Sequence, residues 1–496
     1  MSRVRSVFVQ SAFVNTITVL TVLIFLLLHA SRLQGQSPGS VFTGQASSTF
    51  NAQAALSDLT NQNPYTGSVS NEKVVPGAIP ISLLDAVNRA LKYNLGLYTS
   101  QTSQKTVQAA RMQALANLLP NLNARFADTE EQINLATFGL TVPGFPTVVG
   151  PFNVLDVRAF LTGPALDFQA INKLRSADQN VSAARFGYLN SRELVVVTVG
   201  FAYVQSLAAE ARVTAVEAQL TTAQTLYQQA VDQKAAGVVP AIDELRAQVE
   251  MQAQQQRLVA VKNDLDKQKL QLARIIGLPS GQEYTLAQKV PYTPAPPMTI
   301  DEAIGRALRD RPDYAALQAR VKAAEYSVHA AESERLPKVG YSGDYGVIGR
   351  GFSYDHGTFT AGAAVTVPIF DGNRIKSDID QAQAALNQRK AEAEDMRGRI
   401  EYEVRAAFLD VNSAAEQVRV ATSTLDLANQ TLAQARDRFR AGVTNNLEVV
   451  QAQEAVANSN DALINSTLQF NLAKLELAHS LGVAERATKE FLGGTP

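Results

Sequence analysis

The chain contains 496 residues, and its 45 lysine and arginine residues almost balance 46 aspartate and glutamate residues, which leaves a net charge of -1. This balance gives no support for binding to nucleic acid or to an anionic membrane surface. The absence of cysteine excludes disulfides, thiolate nucleophiles and cysteine-based metal sites.

The first predicted element is a signal peptide over residues 1–36. Arg3 and Arg5 precede an apolar run over residues 19–28, and small and polar residues follow it. An uncleaved anchor is the alternative, because this apolar run is somewhat long. Residues 37–80 have the polar composition of a flexible segment. No other segment approaches the roughly 20 apolar residues of a membrane helix, so a spanning part would have to be a β-barrel.

Two halves with the same order of elements follow. Leu-Pro ends the entry helix of each half, at Pro120 and Pro337, and alternation of apolar and polar residues then indicates strands. The first repeat, 81–297, comprises helix 81–118, strands 121–166, helices 168–236 and 240–276, and an equatorial linker 277–297. The second repeat, 298–484, comprises helix 299–335, strands 338–368, and helices 372–440 and 445–481, and a tail 485–496 follows. A break of the first helix near residues 94–96 remains open.

The sequence supports this division by repeating itself. Ala236-Gly237-Val238 returns as Ala441-Gly442-Val443, and Ile276-Gly277-Leu278 returns as Leu481-Gly482-Val483. Such self-similarity indicates a duplicated architecture. Each long helix would extend about 100 Å, and each shorter helix about 55 Å. We therefore expect each half to contain one continuous rod beside a rod of two stacked helices, which makes four rods per chain.

The long helix of the second half carries a coiled-coil repeat. Apolar residues recur every seven positions, with alanine three residues later: Val404, Val411, Val418, Leu425, Leu432 and Phe439, and Ala407, Ala414, Ala421, Ala428 and Ala435. So thin a seam favours a layer of rods over a single globular core. Four strands are too few to close a membrane barrel, whereas three chains would supply twelve strands and twelve rods. An elongated coiled coil or helical bundle is the alternative.

Together these features resemble the TolC-like outer-membrane efflux proteins, also called outer membrane factors, over about residues 80–484. The motifs are Ala-x2-Arg-Ala-Leu in each entry helix, Leu-Pro before the first strand, Pro-Ile-Phe-Asp-Gly after the last strand, and the repeated glycine motifs. The resemblance implies a mainly α fold with a small β part. In such a fold a duplicated half-unit forms a long α-helical coiled-coil barrel, and four strands per chain contribute to a trimeric 12-stranded β-barrel.

The resemblance also implies a function. The protein would be a homotrimer in outer-membrane lipid that extends into the periplasm. It would serve as the passive channel of a tripartite efflux or type I secretion system, together with a periplasmic adaptor (membrane fusion protein) and an inner-membrane pump. The alternative is a periplasmic coiled-coil scaffold without channel activity. The sequence does not indicate which substrate is exported.

The resemblance places two periplasmic tips at the helix–turn–helix corners. The expected adaptor-docking residues are Gly237, Val238, Val239, Gly442, Val443 and Thr444. Glycine also suits the left-handed residue that commonly ends a helix. Glycines that only end the helices are therefore the alternative.

The resemblance further implies a periplasmic gate near Asp243, Glu448 and Gln451. Three copies of a carboxylate around one axis would repel each other and attract cations. Some relatives carry a second acid at the position of Gln451, which is neutral here. The alternative is that Asp243 and Glu448 only stabilise helix N-termini through the helix dipole.

Aromatic and histidine residues complete the candidate sites. Tyr341, Tyr345 and Phe359 are candidates for an aromatic belt at the membrane, or they are ordinary strand residues. The four histidines have no ligand spacing: His29, His329, His356 and His479. The sequence also has no Gly-rich phosphate loop and no Gly-x-Ser-x-Gly motif. We therefore expect no enzymatic activity, no metal and no cofactor.

Overall fold

The computed structural model describes residues 63–70, 72–139, 143–144, 146–287, 297–350, 355–441, 443–444 and 446–486. The predicted signal peptide, most of the flexible segment, the proline-rich part of the linker and nearly all of the tail lie outside these residues. Gly442 also lies outside them. The helices and strands of both halves lie within them.

Helices dominate the described residues. In chain order they are α1 (Leu83–Tyr93), α2 (Leu95–Ala116), α3 (Phe168–Ala235), α4 (Ala241–Ile275), α5 (Ile300–Asp310), α6 (Pro312–Glu332), α7 (Arg374–Arg440) and α8 (Asn446–Ser480). The two longest, α3 and α7, contain 68 and 67 residues. Each is therefore about 100 Å long at 1.5 Å per residue, as the sequence indicated.

The strands form two separate sheets. They are β1 (Ile79–Ile81), β2 (Asn121–Asn134), β3 (Val148–Leu166), β4 (Tyr284–Leu286), β5 (Lys338–Gly349) and β6 (Asp355–Thr366). An antiparallel sheet has the order β2-β3-β5-β6, and β1 pairs in parallel with β4. Each half thus contributes two short helices, two long strands, one long helix and one shorter helix. The predicted mainly α fold with a small β part is confirmed.

The first entry helix is divided at Asn94, inside the region where a break remained open. Asn94 has an extended backbone and is nearly inaccessible to solvent. Its side-chain oxygen accepts hydrogen bonds from the backbone N–H groups of Gly96 and Leu97 at 2.9 and 3.3 Å. These bonds cap the N-terminus of α2, so a separate helix begins there.

The predicted continuous helix over residues 299–335 was wrong. Helix α5 ends at Asp310, Arg311 is extended, and α6 begins at Pro312. Proline disfavours the helical conformation of the residue before it and suits the first position of a helix. A short 3₁₀ turn, Ser333–Arg335, then replaces the last predicted turn of helix.

The helices pack side by side as rods. Helix α3 contacts α2 and α6 along its first part and α4 and α8 along its last part, and α7 contacts α6 and α8. One edge of the layer is therefore α7 along its full length. The other edge is α2 in the half nearer the sheet and α4 in the half farther from it.

The buried residues follow the predicted seam. Five of the six predicted apolar seam residues of α7 are buried: Val404, Val411, Val418, Leu432 and Phe439. Leu425 is partly buried. Each such side chain stabilises the fold by about 1.5–3 kcal/mol. The largest apolar cluster lies where α1, α4 and α5 meet the middle of α3 and α7.

Among the described helices, α3 alone is long and apolar enough to cross a membrane by length and composition. Its most apolar stretch is 67% buried inside the protein. Val195, Val199 and Tyr203 lie in this part of α3 and belong to the apolar cluster. A buried core helix passes the same test, so this finding is weak evidence for a spanning helix.

Candidate functional sites

The first predicted tip is a sharp corner between α3 and α4. Gly237 has a φ of 73°, and its N–H donates to the carbonyl of Lys234 at 2.9 Å. The N–H of Val238 reaches back to the carbonyl of Gln233 at 2.9 Å. This pair of bonds is a Schellman motif, which requires a left-handed residue at the position of Gly237. Because a Cβ on Gly237 would meet no atom within 4 Å, backbone conformation rather than packing favours glycine.

The second predicted tip has the same closing bond. The N–H of Val443 donates to the carbonyl of Arg438 at 3.0 Å. Val443 and Val238 are 70% and 64% exposed, whereas Val239 packs against a small apolar cluster at this end of the rods. Thr444 is partly buried. Two exposed valines therefore stand at the ends of the two helical hairpins.

The structure separates the two acidic residues that the repeat aligns. Asp243 is only 3% exposed. Its carboxylate lies 3.4 Å from Nη1 of Arg246, and its backbone carbonyl accepts a hydrogen bond from the side chain of Asn446 at 3.1 Å. Asp243 therefore belongs to the contact between the two hairpins.

Glu448 lies in a more open position. Its carboxylate is 3.3 Å from Nη1 of Arg438 and accepts a hydrogen bond from the hydroxyl of Thr444. Gln451, one turn farther along α8, is exposed. Glu448 and Asp243 both lie in the first turn of a helix, where a negative charge is favourable. The helix-stabilising alternative therefore fits both residues, whereas only Glu448 is accessible enough to act on a passing ion.

A polar groove that the sequence did not predict lies between α3, α4, α7 and α8. Its volume is about 980 Å³. Several buried atoms that line it have no hydrogen-bond partner: both amide atoms of Gln219, Oε1 of Gln254 and Nε of Arg436. Burial, and secondarily the charge of Arg440, lowers the pKa of Arg436. One signal in the sequence was that Gln254 lies seven residues after Ala247, so that a glutamine stands at the same heptad position as an alanine.

The four-stranded sheet has one apolar and one polar face. Side chains of successive residues in a strand point to opposite faces. The large exposed apolar side chains of Leu122, Phe126, Leu161, Tyr345, Phe359 and Val365 share one face according to the strand register. Tyr345 and Phe359 are cross-strand neighbours. The opposite face carries Asn123, Arg125, Asp156, Arg158, Thr162, Ser342, Asp344, Thr358 and Thr360.

The outermost elements of the chain have free faces. In the described residues β2 and β6 each pair on one side only, which leaves a row of backbone groups on the other side. Exposed apolar residues also form a stripe on each edge rod, opposite to its buried stripe. On α7 these are Tyr402, Leu409, Val420 and Leu427, and on α4 they are Ile242, Leu245, Val249, Val259 and Leu270.

Comparison with known proteins agrees with this geometry. The sequence profile of the family described as outer membrane efflux protein matches residues 303–483. The alkaline protease secretion protein AprF of Pseudomonas aeruginosa is 22% identical over 338 residues, which cover 67% of this chain and 70% of AprF. The outer membrane protein OprJ of the same species is 26% identical over 208 residues, which cover 40% of this chain and 43% of OprJ.

In sequence the chain therefore resembles the TolC-like outer membrane efflux proteins. The outer membrane protein VceC of Vibrio cholerae has a similar fold, with a TM-score of 0.69 and 20% identity over 81% of this chain and 96% of VceC. The matched family and these relatives place the chain in the outer membrane, from which it extends into the periplasm. The predicted family and location are confirmed.

Proposed function

We propose that three copies of this outer membrane efflux protein form a passive export conduit across the outer membrane and the periplasm. The observation that carries the proposal is that one chain leaves the same two sides of its sheet and of its rods uncovered. Both edges of its sheet are unpaired in the described residues, and both edge rods carry an exposed apolar stripe. These two kinds of free surface lie along the same two sides of the chain, so one neighbour on each side would cover both.

The sheet supports closure into a membrane barrel. Alternation of apolar and polar residues is typical of a barrel whose outer face contacts lipid and whose inner face lines water. Its four strands fall short of the eight strands in the smallest common barrels, and three copies would supply twelve. Tyr345 and Phe359, which are 72% and 76% exposed on the apolar face, would then contribute to the aromatic belt.

The rods support a tunnel that continues from this barrel. Each strand pair of the sheet leads directly into a long helix, since β3 ends at Leu166 before α3 and β6 ends at Thr366 before α7. Packing of the apolar stripe of α7 against α2 and α4 of the next copy would extend the closed ring along about 100 Å of helix. We interpret the two halves of the chain as the two structural repeats of this tunnel wall.

The far ends of the rods are the places where partners would act. We propose that Val238 and Val443, together with the corners that carry Gly237, Val239, Gly442 and Thr444, dock a periplasmic adaptor that connects to an inner-membrane pump. Exposed valines at hairpin ends can bury apolar area against another helical hairpin. The polar groove between the four helices would offer donors and acceptors to the same adaptor.

The proposal is tested on the full-length protein purified in detergent. We expect a trimer by light scattering with the detergent contribution subtracted, β-structure that survives in detergent, and discrete ion conductance in planar bilayers. A protein that is soluble without detergent and produces no conductance would instead support the periplasmic scaffold. Crosslinking in cells between cysteines introduced at Val238 and a co-expressed adaptor would test the docking tip.

A further inference from the structure

The polar face of the sheet carries a compact group of charges near the middle of β3. The guanidinium of Arg158 binds Asp156 through two hydrogen bonds, from Nε at 2.6 Å and from Nη2 at 2.8 Å. Nη1 of Arg158 also lies 3.4 Å from Asp344 on β5. Arg125 on β2 is the register partner of Arg158. Four charges from three adjacent strands therefore lie on one face.

A glycine allows this arrangement. Gly346 on β5 is the register partner of Arg158, and a Cβ at Gly346 would lie 2.4 Å from Cγ of Arg158 and 2.1 Å from the carbonyl oxygen of Val157. Any other residue would therefore displace the arginine or the strand. The missing side chain lets Arg158 extend over β5 toward Asp344.

The charges are not all neutralised in the same way. Arg158 is shared by two aspartates, so this triad keeps a net negative charge. Arg125 is exposed, and no described residue forms an ion pair with it, although its charge acts on Asp156 over a longer distance. Within this group, β2 therefore presents a positive charge, whereas β3 and β5 together present a net negative charge.

We propose that these charges form a band around the lumen of the barrel and determine which small ions pass through it most easily. This inference rests on the trimeric barrel proposed above, in which the polar face lines the lumen. Three copies would then place Arg125 and the Asp156–Arg158–Asp344 triad in alternation around one axis. Charges on the wall of a water-filled barrel attract ions of the opposite sign and set selectivity. This band lies in the membrane part and is separate from a gate at the periplasmic end.

The inference predicts opposite effects of two matched neutralisations. Arg125→Gln removes a positive charge and is expected to raise the ratio of K⁺ to Cl⁻ permeability about twofold or more, whereas Asp344→Asn is expected to lower it by a similar factor. The ratio is measured from reversal potentials in a KCl gradient across planar bilayers. Arg125 has no ion pair among the described residues, so its replacement should leave folding intact.

Asp128→Asn is the control, because Asp128 lies on β2 and on the apolar face of the sheet. It changes the charge of the chain by the same amount as Asp344→Asn, and it should leave the permeability ratio unchanged. A wild-type trimer that conducts ions with a ratio unaffected by either neutralisation would overturn this inference alone. So would an equal shift in the control. A wild-type protein without conductance would overturn the proposed function together with the inference.

Discussion

Glu448 has surroundings that allow it to act on ions, whereas Asp243 does not. The carboxylate of Glu448 is partly accessible and is shared between Arg438 and Thr444. Asp243 is enclosed between the hairpins, where Asn446 binds its backbone carbonyl. A three-fold gate would therefore use Glu448 and leave Asp243 to hold the hairpins together.

Replacement of Glu448 by Gln tests this gate. If three copies of Glu448 surround the tunnel, Glu448→Gln should weaken the block of conductance by trivalent cations at least about tenfold, because carboxylates that surround one axis bind cations together. Single-channel recording measures the block. Glu454→Gln is the matched control, since Glu454 is exposed on the same helix and away from its buried stripe. If Glu448→Gln leaves the block by trivalent cations unchanged, Glu448 does not form a gate and only stabilises the N-terminus of α8.

The repeat predicted where these acids lie along the chain but not how they differ. The residues that surround Asp243 in the first half differ from those that surround Glu448 at the equivalent positions of the second half. Arg438 aligns with Gln233, and Asn446 aligns with Ala241. Glu448 is therefore paired with an arginine from the preceding helix, whereas Asp243 is paired with Arg246 of its own helix. The side-chain amide of Asn446, which binds the first hairpin, has no counterpart at Ala241. Such differences depend on side chains from a neighbouring helix, which spacing along one helix cannot show.

Helices α5, α6 and α7 are connected by a charged joint, which consists of Arg311, Asp313 and Glu403. Arg311 is 5% exposed and lies between the two short helices. Its guanidinium binds Asp313 in α6, at 2.7 and 3.1 Å, and Glu403 in α7. Cα of Arg311 also lies only 2.7 Å from where a Cβ on Gly482 would be. This joint therefore fixes the stacked rod to the long rod.

Arg311→Met should loosen this joint. Loss of the guanidinium leaves the carboxylates of Asp313 and Glu403 without their partner. We expect a loss of about 3 kcal/mol in local stability. This value is at the lower end for a buried ion pair, because Glu403 is partly exposed. Amide hydrogen exchange across α5 and α6 and the thermal unfolding midpoint measure this loss. Arg309→Met, at an exposed position of α5, should change neither. If amide hydrogens of α5 and α6 are equally protected from exchange in both variants, the Arg311 ion pairs do not hold these helices in place.

The same joint has a predictable pH dependence. Burial acts to raise the pKa of Asp313, but the hydrogen bonds and charge of Arg311 outweigh it and hold this pKa below its usual range. The unfolded value is about 3.9. The ion pair therefore stabilises the folded state above about pH 4, and this stabilisation is lost as the pH falls through the lowered pKa. The wild-type protein should lose more stability than Arg311→Met on acidification.

The helices were largely predictable, and their breaks were less so. Apolar periodicity predicts a long helix such as α7 because the seam repeats many times along it. A single seam residue that is less buried does not change this prediction. A break depends on single residues such as Asn94, whose cap bonds exist only in the folded chain. Pro312 did provide a local signal for the end of α5. The groove at Gln219 and Arg436 could not be found from one helix, since four helices form it.

The whole chain leaves apolar stripes on its edge rods and backbone groups at its sheet edges uncovered in the described residues. The exposed apolar stripe of α7 lies on the side of the helix opposite to the buried stripe. A lone soluble rod would carry polar residues there. The free stripes on α7 and α4, and the two free sheet edges, lie at opposite sides of one chain. Association of each copy with the next, side to side, covers all of them only when the ring closes.

A charge in the α7 stripe should therefore prevent assembly without unfolding the chain. Leu409 is 70% exposed, so Leu409→Glu removes little contact within one copy. In the ring it would forfeit about 2 kcal/mol of apolar burial at each of three interfaces and would bury a carboxylate at each. We expect helical circular dichroism to persist while light scattering shows monomers and conductance disappears. Gln417→Glu, at an exposed polar position of α7, should still form trimers. Trimers of Leu409→Glu with normal conductance would show that α7 does not form the interface between copies.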